Sequence, residues 1–177
     1  MSLREKLQET TIKKADDLIG SMTTFISKAQ KDIFIYGGSL SQIVSFGEKM
    51  MKIKKDRNLK IRLLALNVDN PEIRTTYKNM RPMDNNIAPN LNHLKSYLGD
   101  ENIEIRIHNT IPTAYYYAVD INEENGCIGV DHFLSAFTDV DYPHIEVRRG
   151  DNSEWYKTYQ QQIEFLWSTG ELYKNKE

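Results

Sequence analysis

The chain has 177 residues, 40% hydrophobic and 27% charged, including ten Tyr, six Phe and two Trp. That length and aromatic content suit one domain with a real core and exclude wholesale disorder. The formal charge of −2 argues against a dedicated duplex-DNA binder working through a basic surface, so nucleic acid is not an expected partner.

No apolar run approaches the roughly 18 to 20 residues of a membrane helix. The polar opening MSLREKLQETTIKKADDL has no secretory h-region. Cys127 is the one cysteine, so an intrachain disulfide is impossible. A reduced, cytoplasmic protein without membrane attachment is expected.

Ile12, Ala15, Ile19, Met22, Ile26 and Ala29 recur at helical spacing, with Leu18 and Phe25 widening the stripe. They predict a long N-terminal amphipathic helix over 1–30 that docks on the core or forms a seam with a second copy. Residues 31–177 then read as one domain. The run Ile33 to Tyr36 predicts a buried strand ending at Gly37-Gly38-Ser39. A helix with Leu40, Ile43, Val44 and Met51 inside follows, then a strand from Leu59 to Leu66.

Asn70 before Pro71 is an N-cap followed by proline at the first helical position, predicting a helix through Met80. Pro89 to Leu98 reads as another helix, stopped by Gly99. Strands are predicted at Ile103 to Ile107 and Ala114 to Ile121, and a polar turn over 122–126 leads to another at Cys127 to Val130. His144 to Arg149 alternates as a final strand. Asp151 and Glu154 have capping-box spacing for a closing helix with Trp155, Tyr159, Ile163, Leu166 and Trp167 inside. Strand–helix alternation in the first half favours parallel pairing, and short turns in the second half favour antiparallel pairing. The expected class is α/β (α+β mixed), a mixed β-sheet flanked by helices.

One literal motif stands out: His93, Lys95 and Asp100 spell H-x-K-x4-D, the signature of phospholipase D-type phosphodiesterases. That chemistry needs His and Lys on one face of a strand. Leu91, Leu94 and Leu98 have helical spacing, which turns positions i and i+2 apart by about 200°. A solvated helix face is the expectation there.

The order of elements nevertheless resembles the phospholipase D-like superfamily, with the counterpart of the motif on the strand from Ala114 to Ile121. Asp120 stands at the motif aspartate, Thr113 at the histidine and Tyr115 at the lysine, while Gly129-Val130-Asp131-His132 replaces the G-S-x-N segment. The close from Pro143 to Trp167 resembles degenerate phospholipase D-like domains of bacterial regulators. The resemblance implies a pseudoenzyme: no nucleophile at 113 and no cation at 115. It also implies pairing with a second copy.

The expected ligand-binding residues are Gly38, Ser39, His108, Tyr115, Tyr117 and Asp120. The glycine pair turns backbone N–H groups toward an anion at a helix start, or is simply a tight turn. The tyrosines offer aromatic faces to a ring, or pack. The reading is a sensor for a small phosphorylated or nucleotide-like ligand or a protein partner, with no cofactor. The alternatives are an active phosphodiesterase or nuclease using His108 or His132, and a structural interaction module. Lys49, Lys52, Lys54, Lys55, Arg57, Lys60 and Arg62 form either a solvated helix end or a patch for an acidic partner. The four histidines show no metal-ligand spacing, and Cys127 reads as core.

Overall fold

An eight-stranded mixed sheet organises the computed structural model, which describes residues 12–14, 23–38, 40–80, 93, 95–97, 99–132, 143–151 and 153–174. In chain order the elements are β1 (Ile12–Lys14), β2 (Asp32–Gly37), α1 (Ser41–Arg57), β3 (Lys60–Leu66), α2 (Pro71–Met80), β4 (Ile103–His108), β5 (Ala114–Val119), β6 (Cys127–His132), β7 (Pro143–Arg148), α3 (Ser153–Thr169) and β8 (Glu171–Leu172). Across the sheet the order is β1-β7-β6-β5-β2-β3-β4-β8. β2, β3 and β4 pair in parallel through the crossover helices, and every other pair is antiparallel. The division into a parallel and an antiparallel half follows the expectation.

Alternation along the strands makes two cores. On one face Ile33, Ile35, Ile61, Leu63, Ile105, Tyr117 and Cys127 pack with Ile43 and Met50 of α1 and Tyr77 of α2. On the other, Phe34, Tyr36, Leu64, Tyr116, Ile128 and Val147 pack with Tyr156, Ile163, Leu166 and Trp167 of α3. Each fully buried aliphatic or aromatic side chain contributes about 1.5–3 kcal/mol. Trp167 is also held between guanidinium groups, with Arg106 4.4 Å and Arg62 5.5 Å from its ring centroid.

α2 starts as predicted: Asn70 Oδ1 accepts from the N–H groups of Glu72 (3.0 Å) and Ile73 (3.4 Å) ahead of Pro71. α1 starts differently. Leu40 takes the left-handed conformation (φ 49) and supplies no side-chain cap. The helix ends at Asn58 (φ 54), whose N–H returns to the Lys54 carbonyl.

Two expectations need correction, and a third falls mostly outside the described residues. The stripe from Ile12 to Ala29 does not form one helix. Ile12–Lys14 is a strand registered Ile12↔Ile145 with β7, and helix is described only at 23–26. Ile12 follows Thr10-Thr11, a β-branched run suited to strand, and the margin of β7 offers it backbone partners. Phe25, Ile26 and Ala29 still bury as the pattern requires. Of the helix expected from Pro89, the 3₁₀ turn Lys95–Tyr97 is described, and most of the remainder lies outside the described residues. Trp155, expected inside, is 49% exposed. Tyr156, Ile163 and Trp167 set the buried stripe of α3, and Trp155 lies one residue, about 100°, away from it.

Candidate functional site

β5 lies at the centre of the sheet between β2 and β6, and the predicted site residues fall at three places around it. Gly38 and Tyr115 come together where β2 ends and β5 begins. A Cβ on Gly38 would lie 2.2 Å from Tyr77 Oη, and one on Gly37 2.9 Å from Tyr115 Cδ1. Tyr77 Oη and Tyr115 Oη are hydrogen-bonded at 3.3 Å. The glycine pair thus lets two tyrosines close over the start of α1. Tyr117 lies deeper on the same face, buried in the core. Ser39 lies outside the described residues.

His108 is not with them. It ends β4 on the α3 face, its ring edge-on to Tyr36 (centroids 6.1 Å) and its Nε2 3.0 Å from Thr169 Oγ1. Successive strand residues face opposite ways, so the sheet separates it from Tyr115. His132 belongs to the α3 face as well, with Nε2 3.4 Å from Tyr159 Oη.

Asp120 lies beyond the opposite end of β5, five residues and ~16 Å of strand from Tyr115. It is fully buried, with φ 52. Its carboxylate accepts the N–H groups of Gln30 (3.0 Å), Lys31 (2.7 Å) and Asp32 (3.2 Å) and the Asn125 amide (2.9 Å). Its own N–H donates to the Asp32 carbonyl at 3.0 Å. This latch ties the entry of β2 to the exit of β5.

The literal motif does not assemble on a strand. His93 is exposed and meets Tyr97 Oη at 3.1 Å, and Asp100 pairs with Lys54 of α1. Much of the basic run is similarly occupied: Arg57 donates to the carbonyls of Ser27 (2.7 Å) and Ala29 (2.6 Å), and Arg62 to Glu164 (3.1 Å).

A second polar group shares the face of Tyr115. Registers Tyr115↔Asp131 and Asp131↔His144 place these residues in one row across β5, β6 and β7. His144 Nδ1 lies 2.5 Å from Asp131 Oδ1 and Nε2 3.7 Å from Glu146 Oε1. Gly129 makes room for the imidazole, since a Cβ there would lie 3.0 Å from His144 Cε1. Burial alone would push the imidazole pKa down. The hydrogen bond to Asp131 and the Glu146 carboxylate outweigh it and raise the value to about 9. His144 is therefore an imidazolium at neutral pH, 2% exposed. Burial pushes the Cys127 thiol up to about 11, leaving it a poor nucleophile.

No protein-family model matches the sequence, and no curated protein matches it. Solved structures do. Nuc from Salmonella typhimurium, a phospholipase D family member, superposes with TM-score 0.54 at 14% identity, over 94% of this chain and 100% of its own. NucT from Helicobacter pylori gives 0.56 at 10%, over 93% and 99%. This chain has a phospholipase D-like fold. TrmBL2, an archaeal chromatin protein with a novel mode of DNA binding, gives 0.58 at 12%, over 92% of this chain. The match spans about half, 53%, of the chromatin protein's chain.

Tyr115 lies on β5 (Ala114–Val119), with Thr113 just before the strand and Asp120 just after it, a spacing of two and five residues. The hydroxyl of Tyr115 is bonded to Tyr77 at 3.3 Å. Among the described residues no group of three or more His, Cys, Asp and Glu is placed to hold a metal, and no helix is long and apolar enough to cross a membrane. Residue-by-residue reading missed the Asp131–His144–Glu146 cluster and Tyr77. Its signal was available in period two: Asp131 shares a face with Cys127 and Gly129, and His144 with Glu146, polar residues on strands otherwise rich in core positions.

Proposed function

We propose that this phospholipase D-like domain is catalytically degenerate and binds a small phosphorylated or nucleotide-like ligand as a sensor. The observation that carries the reading is Tyr115. At the motif-lysine position it presents a hydrogen-bonded phenol where phosphodiester chemistry needs a cation. The ligand end is the junction of Gly38, Tyr115 and the start of α1, with Tyr117 beneath. The first turn of α1 has no acidic residue and its cap no side-chain acceptor, an arrangement that favours an anion. The chromatin protein supports a setting in which the domain works beside further chain, because there a chain about twice as long includes the same fold. Pairing with a second copy belongs to the same proposal.

The alternative of rearranged catalytic histidines is not favoured: His108 and His132 lie on the α3 face, engaged with Thr169 and Tyr159. The purified chain, assayed with a chromogenic phosphodiester and single-stranded DNA, is expected to show no turnover. Nucleoside monophosphate is expected to shift the amide resonances around Gly38 saturably. Turnover that copurifies with the folded chain would overturn the reading, as would a nucleotide titration that moves no resonance there.

A further inference from the structure

Asn125 and Gly126 are the one Asn–Gly pair in the sequence, and the turn between β5 and β6 places them at the Asp120 latch. Packing holds both identities. A Cβ at 126 would lie 2.2 Å from Tyr156 Oη and 2.7 Å from the Asp120 carbonyl oxygen, so the position admits glycine. Asn125 donates from Nδ2 to Asp120 Oδ2 at 2.9 Å. The turn is thereby committed to the dipeptide in which a backbone nitrogen, unhindered by a side chain, reaches the preceding amide carbon most easily.

We propose that Asn125–Gly126 is a site of spontaneous deamidation, guarded by the Asp120 latch and able to open it. The Gly126 nitrogen bonds to Asn125 Cγ, the Cγ–Nδ2 bond breaks, and Nδ2 leaves as ammonia with the proton given up by the Gly126 N–H. Water then opens the cyclic imide: attack at Cγ yields aspartate, and attack at the main-chain carbonyl yields isoaspartate. In the folded chain both reacting groups are tied down, the Gly126 N–H to the Glu123 carbonyl at 3.1 Å and Nδ2 to Asp120. Asn125 itself is exposed, so water reaches it once the turn opens.

The product carries a carboxylate where a donor stood. It faces Asp120, which is fully buried and already accepts three backbone N–H groups. Two carboxylates at that spacing repel, so the modification loosens 30–32 from β5. Isoaspartate also lengthens the main chain by one carbon beside Gly126, whose carbonyl accepts the Arg149 N–H at 3.0 Å.

The full chain is incubated in mildly alkaline buffer, native or urea-unfolded, and residue 125 is followed by peptide mass spectrometry with isoaspartate detection. The native chain is expected to deamidate at least about tenfold more slowly, the protection of a turn that reacts only when open. The modified fraction, separated by charge, and an Asn125→Asp variant are both expected to exchange the amides of Gln30, Lys31 and Asp32 faster, with α3 unchanged. Equal rates in the native and unfolded chains would overturn the guarding role. Unchanged exchange at 30–32 in the modified fraction would overturn the opening, whether or not the variant folds.

Discussion

A single carboxylate can hold two distant segments when several donors converge on it, and Asp120 is such a group. Replacing it with alanine leaves three backbone N–H groups at 30–32 without their acceptor and removes the partner of Asn125. Asp120→Ala is therefore expected to cost about 3 kcal/mol, read from the urea midpoint at constant slope. His144 makes a complementary prediction in pH. Its folded pKa, about 9, lies above the ordinary 6.5, so the stabilisation from Asp131 and Glu146 is complete below 6.5. It declines as pH rises and is gone above about 9. Urea midpoints across that window should fall in the wild type, and this contribution should be absent from the curve of His144→Gln, so that it appears in the difference between the two. The role of Asp120 was only partly legible. The motif spacing marks it at the exit of β5, but its donors come from residues up to 90 positions away, a pairing no local pattern encodes.

Elements with their own local signals were readable: the Asn70-Pro71 start of α2 and the apolar runs of β2 and β3 follow directly from residue order. Elements that borrow their partners were not. Ile12–Lys14 is a strand because β7 offers it a margin, and its helical spacing with Ile26 and Ala29 has no bearing on that. In the candidate site the glycine pair was legible as a turn, whereas Tyr77, which closes over it from α2, was not. This junction also makes a test at its own scale. Gly38→Ala places a methyl group 2.2 Å from Tyr77 Oη, forcing the ring away and breaking its bond to Tyr115. The expected cost is about 2 kcal/mol by thermal or urea unfolding. Ala at 150, where a Cβ meets nothing within 4 Å, serves as the control.

At the scale of the molecule, the phospholipase D-like sheet is built around a central pair, β2 and β5, that closes late in the chain. β2 meets β3 on one side through a short crossover, but its other side waits for β5, and the Asp120 carboxylate arrives 90 residues after the amide of Gln30. During synthesis the N-terminal parallel unit emerges from the ribosome with one flank of β2 bare and the amides of 30–32 still hydrated. Such distant closure raises the contact order of the fold, and the β2–β5 pairing is the step it slows.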